Sequence, residues 1–397
     1  MSGYEIIGKE EIKNISDIFK KSNGVLFAHG FEERRNNIFR VKEFEIAFAK
    51  KFKSKYAVAC SSGTAAGVLC LKAAGIKPGD EVITQAFTFI AVIESILEVG
   101  AIPKIVDVDN SLNMCSQDLK RNISKKTKCI IPVHMLGVPC DMSSILSIAK
   151  KYKIPVIEDA CEAAGVKYNN KYLGTIGYSG FFSLDFGKII TTGEGGMILT
   201  QNKKQYLLLK ALRDHGHINQ KGVHRGQDKA LVRGFNYRMT EMQAAVGLAQ
   251  IKKLEYILKK KKYNKNIFIN QIKKNIPNLG GLGIKIRYSH INAGDQNDHL
   301  IFFLRNGKIA KNVKKQLDSI NIKTGILPLA ARWHYAGYWN HIWRESTKFR
   351  FYNRLDFWKN AWYLVTRSIS FPISILENKK QIVKKANLIS KVFSDFN

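Results

Sequence analysis

A mostly parallel α/β sheet clothed by helices, followed by a smaller α/β unit, is the fold class this sequence predicts. Three observations carry that expectation. Between residues 56 and 200, short apolar runs alternate with helical patterns. The runs are continuously apolar rather than alternating, as in strands buried on both faces. Where the alternation ends, Thr240 and Gln243 form a capping box that opens a long helix. The 397 residues give room for two or three domains. With 45% hydrophobic and 24% charged residues, the chain is not a disordered one.

Strands are expected at 56–59, 81–84, 102–106, 129–133, 156–158, 180–183 and 197–199. Helices are expected at 64–74, stopped by Gly75, and at 88–99, stopped by Gly100. A third starts from Asp141 as N-cap and runs through Ile145, Leu146, Ile148 and Ala149. In such sheets ligands gather beyond the carboxyl ends of the strands, which is where Asp159 falls. A loop rich in His, Gly and Arg follows, from Arg213 to Gly226. The helix opened by Thr240 carries Ala244, Ala245, Leu248, Ile251 and Leu254 as an apolar stripe. The domain boundary is placed inside it: 1–250, with an N-terminal arm, as the large domain, and 251–397 as the small C-terminal α/β domain.

The net charge is +32, and most of the excess is lysine scattered along the chain. The run at 259–262, with Lys252 and Lys253 a turn or two earlier, reads as a solvated helix face. No basic stripe interleaved with aromatics and no zinc-finger or RNA-binding signature is present, so nucleic acid is not expected as a partner. The cysteines, Cys60, Cys70, Cys115, Cys129, Cys140 and Cys161, contain no CxxC pair and read as buried reduced thiols, with no metal expected. The opening residues lack the pattern of a signal peptide, and no apolar run approaches the roughly 20 residues of a membrane span. A cytoplasmic protein without a membrane partner is the expectation.

Two stretches converge on one chemistry. The first is Ser183-Leu184-Asp185-Phe186-Gly187-Lys188-Ile189-Ile190-Thr191-Thr192-Gly193-Glu194-Gly195-Gly196. A lysine in a small-residue turn after a strand can form a Schiff base. Beside Ile189 and Ile190 it loses solvation, which should lower its pKa and free the amine as nucleophile and base. In a lysine-rich chain any one lysine is ordinarily a surface group; the company of Lys188 sets it apart. The second stretch, Ile154-Pro155-Val156-Ile157-Glu158-Asp159, is an apolar run ending in acid. Alone, Asp159 would be an ordinary strand-end turn residue. A buried carboxylate needs a cationic or hydrogen-bonding partner, and a pyridinium N–H supplies one. A lysine aldehyde-trap with an aspartate 188 − 159 = 29 positions upstream is what pyridoxal phosphate (PLP) asks of a protein. The run Ala59-Cys60-Ser61-Ser62-Gly63-Thr64-Ala65-Ala66 adds a strand, a small-residue turn and a helix start. Amides at that N-terminus suit a phosphate, although an N-capped helix alone gives the same pattern.

With Phe87-Thr88-Phe89-Ile90-Ala91, Val106-Asp107-Val108-Asp109, Pro132-Val133-His134, Glu158-Asp159-Ala160-Cys161-Glu162-Ala163 and Phe235-Asn236-Tyr237-Arg238-Met239-Thr240, these segments resemble the DegT/DnrJ/EryC1/StrS family of PLP-dependent sugar aminotransferases. The similarity covers nearly the whole chain. It implies the type I fold of PLP-dependent transferases, as in aspartate aminotransferase. It implies that Lys188 holds the cofactor and moves the proton, that Asp159 pairs with the pyridine nitrogen, and that Phe89 stacks on the ring. By the same resemblance Gly63, Thr64 and Ser183 hold the phosphate, and Glu162 lies beside the cofactor. Asn236 would reach the phosphate of a neighbouring subunit, so a homodimer with shared sites is implied. Arg238 and His334 are carried over as substrate contacts.

A dehydratase subgroup carries histidine at the lysine position, so Lys188 favours amino transfer over C–OH removal. The resemblance implies glutamate as donor. The acceptor is either a nucleotide-linked keto-deoxyhexose or an oxidised octulosonate. The second is raised by Gly3-Tyr4-Glu5-Ile6-Ile7-Gly8, by Leu327-Pro328-Leu329 and by Trp333 to Trp339, which resemble the aminotransferases that make 8-amino-3,8-dideoxy-octulosonate. The product would serve cell-surface polysaccharide or lipopolysaccharide biosynthesis. A non-catalytic nucleic-acid-binding or regulatory protein rests on the charge alone.

Overall fold

The computed structural model describes residues 3–220, 223, 227–325, 327, 332–345 and 347–396. The Arg225-Gly226 end of the His/Gly/Arg loop and Pro328-Leu329 lie outside the described residues. Strands β1 (Tyr56–Cys60), β2 (Glu81–Gln85), β3 (Ile102–Val106), β4 (Thr127–Ile130) and β5 (Ile157–Asp159) alternate with helices α3 (Gly63–Ala73), α4 (Ala91–Glu98), α5 (Ser116–Asn122) and α6 (Met142–Tyr152). Before them come α1 (Lys9–Lys21) and α2 (Arg40–Lys51). After them come a small hairpin, β6 (Lys167–Tyr168) and β7 (Lys171–Tyr172), then β8 (Ser179–Ser183), β9 (Gly196–Thr200) and α7 (Lys203–Leu212). The expected caps are in place. The Ser144 amide donates to Asp141 at 3.2 Å, and Thr240 and Gln243 close their capping box.

Strands β3-β2-β4 form a parallel set, and β5 pairs in parallel with β8. Single parallel bridges, Ile130 to Val156 and Val133 to Asp159, join the two sets. Residues of β1 alternate between two cores: Val58 and Cys60 pack on one face, Ala57 and Ala59 on the other. That two-sided burial is why the strands read as continuous apolar runs. The sheet is more mixed than the sequence suggests. Strand β9 is antiparallel to both β8 and β1. Residues 184–195 return as a hairpin loop instead of crossing over a helix, and a hairpin forces the antiparallel sense. This loop carries Lys188.

Helix α8 (Glu241–Asn275) packs against α1, α2 and, near its far end, α12 (Lys379–Asp395). The remaining elements are β10 (Lys285–Ile286), β11 (His299–Phe303), α9 (Gly307–Ser319), α10 (Asn340–Arg344), α11 (Lys359–Thr366) and β12 (Ser368–Pro372). Strands β10-β11-β12 form an antiparallel sheet with its own core, in which Phe268 and Ile272 of α8 meet Phe302, Phe371 and Phe393.

Lys252, Lys259 and Lys262 lie on a solvated face, as expected, but Lys261 does not. Helix α8 continues thirteen residues past Lys262 to Asn275, and Lys261 is 0% exposed. Its ammonium pairs with Asp298 and donates to the Ile373 carbonyl. Lys265, also buried, pairs with Asp295 at 2.6 Å. Burial raises the cost of ionising Asp298, but Lys261 and His299 overcome it and hold its carboxyl well below the usual range. This carboxylate therefore adds stability above the ordinary carboxylate pKa, and the gain is lost as pH falls toward the lowered value. Lys261→Met strips the buried carboxylate of its lysine and is expected to cost about 3–5 kcal/mol. Equilibrium urea unfolding at neutral pH checks this; a loss under about 1 kcal/mol would contradict the pairing.

Candidate active site

The site forms where the β5 carboxyl end, the β8–β9 loop and the segment around His334 meet. Asp159 ends β5 and is 5% exposed. Its Oδ1 accepts the Cys161 amide at 2.9 Å. Burial pushes its carboxyl up, while Cys161 hydrogen bonds and the Lys188 charge only partly oppose this. Cys161 itself is held as a thiol by burial and the Asp159 charge. None of the six cysteines is in a disulfide; Cys60, Cys70, Cys129 and Cys140 are buried, Cys115 and Cys161 partly so.

Lys188 Nζ lies 3.5 Å from Glu162 Oε1. Burial pulls the lysine pKa down, as the apolar neighbours suggest, but the charges of Glu162 and Asp159 push it up further, and the net shift is upward. The expected fall in pKa is therefore corrected: the amine is held as an ammonium by acids from a distant stretch of sequence. Glu162 answers in kind. Burial would raise it, yet Lys188 and His334 hold it low. Its other oxygen accepts the Leu136 amide at 2.8 Å. Leu136 adopts φ 52°, a left-handed conformation that costs a non-glycine residue energy. Gly137 follows at φ +76°, where a Cβ would meet Gln296 at 2.3 Å. The strained turn aims an N–H at Glu162. Glu162→Gln should let burial dominate, lowering the Lys188 pKa; the rate of amine acylation against pH in the cofactor-free protein should shift its midpoint downward. An unmoved midpoint would remove Glu162 from that role.

Gly63 begins α3, with Ser62 capping through the Ala65 amide at 3.0 Å. A Cβ at position 63 would meet the Ser183 Cβ at 2.8 Å, so only glycine lets the helix start approach that hydroxyl. Thr64 is exposed beside it, and first-turn amides have no acceptor within their own helix. The loop bearing Asn236 is tied to this turn: Ser61 N–H donates to the Tyr237 carbonyl at 2.9 Å. Asn236 itself is exposed.

Helix α4 starts at Ala91, not at 88, because the Thr88 and Ile90 amides donate to the His334 and Trp333 carbonyls. That pairing sets Phe89 against His334, ring centroids 5.6 Å apart, and against Trp333 at 6.1 Å. Burial lowers the His334 pKa, with Glu162 opposing and Lys188 reinforcing. Trp333 is exposed, whereas Trp339 is core. Arg238 pairs with Asp214 and lies 5.0 Å over the Phe27 ring, while His29 Nε2 meets Asp214 at 2.6 Å. Among the described residues, no hydrogen bond or ion pair joins Arg238 or Asn236 to the Lys188 cluster.

One nearby residue carried no local signal. His299 opens β11, paired through Nδ1 with Asp298 at 3.1 Å, and its charge acts on both Glu162 and His334. A sheet far along the chain brings it there.

Known proteins resemble this chain in sequence and in fold. The GDP-perosamine synthase of Caulobacter vibrioides is 44% identical over 216 residues, 54% of this chain. The chain spans only 57% of the length of that relative. The structure of an aminotransferase from Psychrobacter cryohalolentis superposes with a TM-score of 0.86 at 25% identity, covering 98% of both chains. An E. coli GDP-4-keto-6-deoxy-D-mannose-3-dehydratase with bound hydrated PLP superposes at 0.80 with 26% identity, covering 97% of each chain. Residues 35–382 match the DegT/DnrJ/EryC1/StrS aminotransferase family, and the chain belongs to it.

Proposed function

We propose that this protein is a PLP-dependent aminotransferase that transfers an amino group from glutamate to a keto carbon of a nucleotide-linked deoxyhexose. The observation that carries this reading is the cluster itself: Lys188 against Glu162, with the charge-averse Asp159 beside it. The donor set fits the cofactor. A buried carboxylate lifted by desolvation gains from a pyridinium N–H, and the α3 start with the Ser183 hydroxyl suits a phosphate. Lys188 would hold the cofactor covalently, Asp159 the ring nitrogen, Gly63, Thr64 and Ser183 the phosphate, and Phe89 the ring face. When bound, the cofactor supplies an electron sink for a carbanion next to nitrogen.

The chain's own residues do the rest. Lys188 Nζ gives and takes the proton at the reacting carbon, and Glu162 favours the amine's return to the ammonium form. The strained Leu136 turn keeps Glu162 in place. His334, its pKa lowered by burial, offers a ring nitrogen to a sugar hydroxyl beside Phe89. Arg238, paired with Asp214, is proposed as a contact for substrate anions. Exposed Asn236, tied to the proposed phosphate turn through Tyr237, would serve a partner's site in a homodimer. A division at about residue 250, a cytoplasmic location and a place in cell-surface polysaccharide or lipopolysaccharide biosynthesis are parts of this proposal. No helix among the described residues is long and apolar enough to cross a membrane.

The GDP-perosamine synthase relative and the GDP-4-keto-6-deoxy-D-mannose-3-dehydratase neighbour together support a GDP-linked 4-keto-6-deoxy sugar as acceptor. The test is glutamate with the PLP-loaded protein and, in separate arms, GDP-4-keto-6-deoxymannose and an oxidised octulosonate. An aminated GDP-sugar with 2-oxoglutarate is expected. Amination in the second arm alone would move the acceptor to the octulosonate. A deoxygenated product with free ammonia would make the protein a dehydratase. Salt-sensitive DNA binding without visible absorbance would support the non-catalytic reading.

A further inference from the structure

The opening residues converge on the catalytic loop from outside. Gly3 N–H donates to the Lys188 carbonyl at 3.1 Å. Position 3 has no room for a side chain: a Cβ would meet that carbonyl at 2.8 Å, and the Ile189 carbonyl and Gln250 Oε1 at 3.0 Å. Gln250, on α8, accepts the Thr191 amide at 3.4 Å and donates to Glu11 at 2.9 Å. Arm, loop and helix are thereby joined. Tyr4 stacks on Phe186, two residues before the lysine, with centroids 4.9 Å apart and planes at 21°. Tyr4 and Phe186 are 43% and 55% exposed, so this contact holds the loop without being part of a core.

The next residue reaches the other side of the site. Glu5 Oε2 accepts the Ile375 amide at 2.9 Å and the Ser374 hydroxyl at 3.1 Å. Just before that turn, the Ile373 amide donates to the Asp298 carbonyl, and the Ile373 carbonyl accepts from Lys261. Asp298 in turn orients His299. Three consecutive residues therefore link the lysine loop to the C-terminal sheet that presents a histidine to the same site.

We propose that Gly3, Tyr4 and Glu5 form a brace that positions Lys188 and fixes its loop against the C-terminal sheet. They are positioning residues, and their role in catalysis rests on the reading of Lys188 given above. A brace matters because the lysine sits on a hairpin loop and must stay in reach of both cofactor and substrate; a misplacement of about 1 Å can cost about 10²-fold in rate.

The test compares Gly3→Val, Tyr4→Ala, Tyr4→Phe, Glu5→Ala and Glu5→Gln in the full chain. Without cofactor, amide hydrogen exchange over residues 186–192 is expected to rise about tenfold in Gly3→Val, Tyr4→Ala and Glu5→Ala, with β8 and β9 unchanged. Tyr4→Phe keeps the stack, and Glu5→Gln keeps an acceptor; both should exchange like the parent. With PLP loaded, the single-turnover rate with glutamate should fall about tenfold in the first three variants, at unchanged half-saturating glutamate. Parent-like exchange in all five overturns the brace, as does a rise spread equally over β8 and β9. If the parent does not react with glutamate, the functional reading fails, while the exchange result still decides the brace.

Discussion

Lys188→Ala is expected to abolish the visible absorbance of covalently held cofactor and to lower amino transfer by about 10⁴-fold or more, since it removes both covalent and acid–base catalysis. Borohydride should then fix no cofactor on the protein. The fold should survive, because the Lys188 side chain is partly exposed and joins Glu162 by a single 3.5 Å contact. Far-UV circular dichroism and the thermal midpoint check that. Lys188→Arg sharpens the test. It keeps a cation for Glu162 but offers no amine that can deprotonate. It should be as inactive as alanine yet match the parent in stability. Turnover retained by either variant would remove Lys188 from the reaction.

Much of this candidate site could be read from local sequence because the parts proposed to hold a phosphate and a ring nitrogen are local devices. A strand, a small-residue turn and a helix start are fixed by neighbours, so the place of Gly63 at a helix start and of Asp159 at a strand end was legible from their own segments. What was not legible depends on distance in sequence. The lysine's pKa direction reversed because Glu162 and Asp159 face it across the site, and Ile189 and Ile190 alone carry no trace of that. Strand β9 turned antiparallel because the lysine loop is a hairpin, a fact of connection that apolar runs do not encode. Helix α4 lost its first residues to carbonyls of Trp333 and His334, some 245 positions later. The lysines of α8 look alike in the sequence; only the fold buries Lys261 against Asp298 and leaves Lys259 in the ordinary surface role.

Asp159→Asn is expected to separate stability from activity. In the cofactor-free protein, burial raises the Asp159 carboxyl above its unfolded value. A raised carboxyl costs stability once pH exceeds the unfolded pKa, about 4, and the full cost stands above the folded value. The amide carries no charge, so Asp159→Asn should raise the thermal midpoint of the cofactor-free protein at neutral pH. The gain should shrink as pH falls and vanish below about 4, where the parent carboxyl is protonated in both states. Amino transfer should fall about 10³-fold, the scale of losing a preorganised charge aimed at the reacting system. Cofactor affinity should weaken with it, because an amide stabilises a pyridinium far less than a carboxylate does. A variant that is less stable than the parent at neutral pH without cofactor, or one that keeps its turnover, would mean that Asp159 is held by other partners and does not face the ring nitrogen. A structural aspartate loses stability when neutralised; one kept in a dry site for a cation that arrives with the cofactor gains it.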